Sequence, residues 1–300
     1  MMTMSGTLIT SRDPKGLQAT SIFEAAYNQA ELDGDRAQRL NEHGGELKTG
    51  ILQLIQKLSV SNQFANEETS SNYTYPKEYR GPKPIEEQIK AIAEIFGLDP
   101  AQAFEYAKTL AKLPEGAEGW FAIPSVNALA AKNFPEVTDP AEKYCRVAKL
   151  VIEKLAASRK FYNYREGQID PQHLRVHSRT SYALDLIAQE QTGDILIIAG
   201  QLGMRHRGKS VRRSREVFVS KEFGLEAVAG GSIALTHPER FVRSEELDMD
   251  MAGNEWSWRA DGVFDDVPVF FFHDGEVEFD ADRVENVVRY FGSASGFLSQ

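Results

Sequence analysis

One cysteine, Cys145, stands in 300 residues. That excludes an intrachain disulfide and any zinc site built on several thiolates. No stretch approaches the roughly 18–20 unbroken apolar residues of a membrane span. Residues 1–10 lack the basic start and apolar core of a signal peptide. There is no internal repeat and no G-x-S-x-G nucleophile elbow. With 23 glycines and 12 prolines, usage is ordinary, so the chain is neither collagenous nor wholly disordered. These absences predict a soluble, cytoplasmic, globular protein, and 42% apolar residues suffice for one large core or two ordinary ones.

Bases are also scarce: 34 Lys and Arg face 44 Asp and Glu, a net charge of −10. Those present are concentrated. Residues 154–215 carry twelve bases against five acids, whereas residues 216–300 carry six against eighteen. A basic island of net +7 ahead of a tail of net −12 either attracts a polyanion or pairs with that tail. Composition leaves both open.

Hydrophobic periodicity predicts an α+β chain, with a helical N-terminal half, a mixed α/β C-terminal half and a β-hairpin near the C-terminus. The expected divisions are an N-terminal helical segment with a flexible linker (1–84), a helical domain (85–192) and an α+β domain (193–300). Residues 21–43 and 46–58 read as helices, and 59–84, rich in Ser, Asn and Tyr, as a mobile linker. Asp99-Pro100, Asp139-Pro140 and Asp170-Pro171 each place a capping carboxylate before a proline. They predict helices reaching 113 and 155 and a third over 172–189. Residues 119–124 read as an apolar plug between helices. Further on, 195–199 reads as a buried strand, 210–223 as a helix, and 225–235 as a strand interrupted by Gly230-Gly231. Residues 246–251 read as a half-exposed strand, and 267–272 with 276–279 as a hairpin turning at Asp274-Gly275. A final helix is expected over 281–291, before a small-residue, flexible tail at 292–296.

Residues 203–210 read G-M-R-H-R-G-K-S, matching the phosphate-binding pattern G-x-x-x-x-G-K-[ST]. In that reading Gly203, Gly208, Lys209 and Ser210 cradle ATP or GTP with magnesium, after the strand and before a helix. The bulky Arg205, His206 and Arg207 and the following Val-Arg-Arg-Ser-Arg count against it. The same segment peaks the basic island, with Arg205, Arg207, Lys209, Arg212, Arg213 and Arg215 in eleven residues. Arg159, Lys160, Tyr162 and Arg165 interleave bases with aromatics, and Arg175 and Arg179 extend the surface. That pattern suits single-stranded RNA or DNA, with cations on phosphates and rings on bases.

Other candidates are weaker. His173 and His177 stand four apart on the helix expected there, a spacing for two metal ligands, but Arg175 and Arg179 beside them disfavour a cation. No metal site is expected. His237 and Glu239 suit acid–base work, against the simpler reading of Thr236 and Glu239 as a capping box. Asp248, Asp250 and Glu255 suit magnesium, against alternating exposed acids on an edge strand.

The run 193–240 and the closing 292–297 resemble an uncharacterised family of proteins from bacterial genomes, over roughly residues 115–300. The resemblance implies a bacterial or mobile-element origin and no catalytic or binding residue. Three functions are therefore carried forward. The first is a non-catalytic nucleic-acid-binding protein without a cofactor, and the second a nucleotide-binding enzyme. The third is an assembly protein whose basic island docks on the acidic tail of a neighbouring subunit. No membrane partner is expected.

Overall fold

The computed structural model describes residues 11–12, 14–59 and 62–298. They fall into two compact units that divide at residue 60. The first is a succession of helices, α1 (Pro14–Gln29), α2 (Gly34–Glu42) and α3 (Gly44–Ser59). The single helix expected over 21–43 is two, because Asp33 accepts the Arg36 amide and starts α2 afresh.

The second unit contains α4 (Ile85–Phe96), α5 (Ala101–Ala107), β1 (Gly119–Pro124), α6 (Val126–Asn133) and α7 (Pro140–Ser158). Then come β2 (Phe161–Asn163), β3 (Leu174–Val176), α8 (Ser178–Glu190), β4 (Ile195–Gln201), α9 (Val211–Val217), β5 (Glu222–Gly224) and α10 (Ala227–Thr236). The chain closes on β6 (Asp248–Asp250), β7 (Asn254–Trp256), β8 (Asp266–His273), β9 (Glu276–Arg283), β10 (Phe291–Ser293) and β11 (Ser295–Phe297). The class is α+β, with helices concentrated in the N-terminal half and strands in the C-terminal half.

Two sheets organise this unit. One is antiparallel in the order β1-β4-β11-β5. The other is built on β8, which pairs with β9 along one edge and with β6 and β7 along the other. Strand β10 extends it beside β6, β3 beside β7, and β2 beside β9. The β8–β9 hairpin turns at Asp274 and Gly275, both at positive φ, as the Asp-Gly pair predicts. The core joins Ile89 and Ile92 of α4 and Phe121 of β1 to Val151 of α7, Ile233 of α10 and Phe270 and Phe279 of the hairpin.

Several expectations fail for identifiable reasons. Asp139 caps α7 through the Glu142 amide as predicted. Asp170 instead accepts the Gln172 and His173 amides in a turn, the chain enters β3, and α8 starts only after His177. Helix α5 stops at Ala107, well short of 113. The apolar plug at 119–124 is β1, paired along most of β4. Residues 227–236, within the segment read as a strand, form α10, which is buried all round except at Leu235. A helix covered on every face offers no amphipathic period to detect. The helix expected at 210–223 is the two-turn α9 followed by β5. The final helix is absent: β9 runs to Arg283 and β10 begins at Phe291. The supposedly flexible 292–296 is buried and crosses from one sheet to the other. Its small side chains serve close packing. Nor are residues 62–84 a free linker: they belong to the second unit, and Thr69 N–H donates to the Gly208 carbonyl.

Candidate functional site

The 203–210 loop follows β4, but β4 has antiparallel neighbours on both sides. Seven of its eight backbone donors are already engaged. Gly203 and Arg205 N–H donate to Gln201 Oε1, at 2.8 and 3.2 Å, and Met204 N–H to the Tyr75 hydroxyl at 3.1 Å. His206, Gly208, Lys209 and Ser210 N–H donate to the carbonyls of Gly203, Phe291, His206 and Glu67. The motif glycines answer to neighbouring backbone. A Cβ on Gly203 (φ +117°) would lie 2.8 Å from the Gly292 oxygen, and one on Gly208 (φ +71°) 2.4 Å from the Thr69 oxygen. Ser210 caps α9, accepting the Arg213 amide while its hydroxyl donates to Glu67 at 2.7 Å. Lys209 lies 3.9 Å from Glu68. Lys209→Ala should therefore cost at most about 1 kcal/mol, the range of a solvent-screened pair, and leave nucleotide retention unchanged. Loss of ATP or GTP retention on that substitution would instead restore the nucleotide reading.

The basic island is bound from within. Arg212 holds Glu67 with two guanidinium nitrogens, and Arg213 bridges Glu68 and Glu216. Arg165 donates to Asp280 at 2.6 Å and Arg175 to Glu255 at 2.8 Å. Arg205 lies 3.5 Å from Glu222. Arg159, Arg179, Arg207 and Arg215 donate to main-chain carbonyls. Half-buried Arg215 is pushed down to about 10 by desolvation. Of the residues read as a nucleic-acid face, exposed Lys160 and Tyr162 stand outside this network, and Tyr162 packs edge-on to Tyr164 at 4.6 Å.

The histidines are likewise placed by packing. His173 contacts Asp170 at 3.1 Å in the turn, and His177 caps α8 through the Arg179 amide, so the two do not share a helix face. Buried His237 accepts the Lys83 amide, and burial pushes it down to about 4. Among the described residues no three His, Cys, Asp or Glu side chains are set to hold a metal ion.

What the sequence reading missed lies on the other sheet. A groove of about 870 Å³ opens over β8 and β9, lined by Tyr73, Tyr164, Asp248, Phe271, Glu278 and Tyr290 among others, and by no lysine or arginine. Register explains it. Alternate residues of a strand share a face, and Phe271 pairs with Glu278, which pairs with Tyr162. Phe291 pairs with Asp248, one step along from Met249↔Phe270. One row across five strands thus reads Phe291, Asp248, Phe271, Glu278, Tyr162. The next row contains Ser293, Asp250, Val269 and Asp280.

Asp248 and Asp250 are therefore not exposed acids of an edge strand. Strand β6 lies between β10 and β8, Asp250 is 2% exposed, and neither carboxylate has a side-chain hydrogen bond or ion pair among the described residues. Burial pushes Asp248 up to about 8, with the charges of Asp250 and Glu278 adding and Arg240 opposing. Asp250 is also pushed up to about 8, by burial and then Asp282, with Arg215 opposing. Glu255 is elsewhere, on β7 with Arg175. Alternating acids at 248/250 and 276–282 were the available signal. Their convergence was not legible.

No protein-family model, curated protein or solved structure matches this chain. No helix among the described residues is long and apolar enough to cross a membrane.

Proposed function

We propose that the chain is a non-catalytic binding protein of the assembly class, which holds a basic segment of a partner protein on its acidic, aromatic-lined groove. The observation that carries this reading is the inversion of available charge. The arginines are occupied inside the fold, while a groove bearing carboxylates and aromatic rings has no cation of Lys or Arg on its lining. Such a surface repels phosphate backbones and attracts basic chains. Exposed aromatic faces add attraction for a cation beyond charge alone.

The test pairs two measurements. Fluorescence anisotropy with a labelled arginine–glycine peptide should report saturable binding that weakens with salt. Gel shifts with single-stranded RNA and DNA, at two salt concentrations, should show no retention. Oligonucleotide retention with no peptide binding would return the function to the basic island.

A further inference from the structure

We infer that this groove is an arginine-reading site: a guanidinium from the partner's basic segment seats among Tyr73, Tyr290 and Phe271 and donates to Asp248, with Asp250 supplying a second charge behind it. The inference rests on the reading that the groove binds a basic segment, and it names the group that is recognised.

The chain's own chemistry supplies the pattern. Arg165 lies 3.8 Å from the Trp258 ring centre and donates to Asp280 at 2.6 Å. Arg175 lies 3.8 Å from that of Phe264 and donates to Glu255 at 2.8 Å. Arg212 lies 4.6 Å from that of Phe64 and donates to Glu67 at 2.7 Å. Each is a planar guanidinium on a ring with its edge on a carboxylate, the geometry in which Arg surpasses Lys. The groove offers the rings and the carboxylates without the arginine. Tyr73 and Tyr290 pack at 5.7 Å to form one wall, and Tyr164 lines the groove beyond Phe271.

In the second row one buried polar group lacks a partner: Ser293, the register neighbour of buried Asp250, whose hydroxyl is fully buried with no hydrogen bond. A hydroxyl left unsatisfied at such depth is uncommon. The hollow is also large enough for a side chain with its flanking backbone.

A guanidinium binds ionised carboxylates, so association must drive off protons that burial retains on Asp248 and Asp250. The charges facing the pair are Arg240, Glu278, Asp282 and Arg215, and Arg240 and Arg215 favour that ionisation. Affinity for an arginine peptide should therefore rise between pH 6 and 8, by up to about tenfold per pH unit for each proton released.

Isothermal titration of the full chain with arginine–glycine and lysine–glycine peptides, in two buffers of different ionisation enthalpy, tests this. The arginine peptide should bind about fivefold more tightly than the lysine peptide and release protons. Asp248→Asn should weaken it about tenfold and Asp250→Asn about threefold, both with a flatter pH profile. Phe271→Leu, which leaves charge unchanged, should weaken it about fivefold. Thermal melts confirm that each variant is folded. Arginine-peptide binding unaffected by D248N and F271L would overturn the groove assignment while leaving the basic-partner reading intact. Equal binding of lysine peptide or spermidine would overturn arginine reading alone. Failure of every basic ligand to bind would overturn both.

Discussion

Glu222→Ala should cost about 3 kcal/mol or more, because it leaves several buried donors unsatisfied at about 1–3 kcal/mol each. Glu222 is 1% exposed at the start of β5. One of its oxygens lies 2.6 Å from His206 Nε2 and 2.6 Å from the donating Ser295 hydroxyl. The other accepts the Val219 amide at 3.2 Å. It thus ties the 204–206 turn, the end of α9 and β11 to one point. Alanine leaves those donors facing a void, and His206 already has its second ring nitrogen, Nδ1, unpartnered. Burial pushes the Glu222 carboxyl up, but its hydrogen bonds with His206 and Ser295 and the nearby Arg205 hold it below the usual range.

The sign follows. A depressed acid contributes stability that is present above its unfolded pKa and lost as pH falls through the folded one. The difference between wild type and E222A should therefore narrow on acidification. Chemical denaturation at pH 7 and in acid measures both. A variant melting within about 2 °C of wild type at pH 7 would contradict the expectation.

Asp250→Asn should have the opposite effect. The carboxyl is pushed up to about 8 by burial, so the folded protein retains a proton that the unfolded chain loses near 3.8. Stability from such a group is full below the unfolded pKa and declines as pH rises through the folded one. Each pH unit between removes up to about 1.4 kcal/mol. Asparagine mimics the protonated form and does not titrate. At pH 8 the variant should exceed wild type by roughly 3–5 kcal/mol, and near pH 4 the two should coincide. Melting profiles from pH 4 to 9 decide it, and parallel profiles would refute the buried-acid account. An increase in stability on removing a charge, joined to a loss of arginine-peptide affinity, is the trade expected of a binding residue.

Local chemistry was the part of this fold written plainly in the chain. The Asp139-Pro140 cap of α7, the apolar run of β4 and the Asp-Gly turn of the hairpin each depend on neighbours within a few residues. The α+β class and the uneven charge were equally legible. Elements defined by what surrounds them were not. Helix α10 lacks a polar face because α7, β1 and β8 cover it, and the small residues of 292–296 are packed because they join two sheets.

The G-x-x-x-x-G-K-S match illustrates the same limit. Its glycines meet a need for positive φ and close backbone approach, and here Gly292 and Thr69 create that need. The sequence by itself determined which charges the chain carries and where along it they lie. Only the tertiary structure decided which are available, because an ion pair forms between residues far apart in sequence. Glu67 and Glu68 take Arg212 and Arg213 across roughly 145 positions. Asp248 and Asp250, two residues apart on one strand face, are left without a direct ion pair among the described residues.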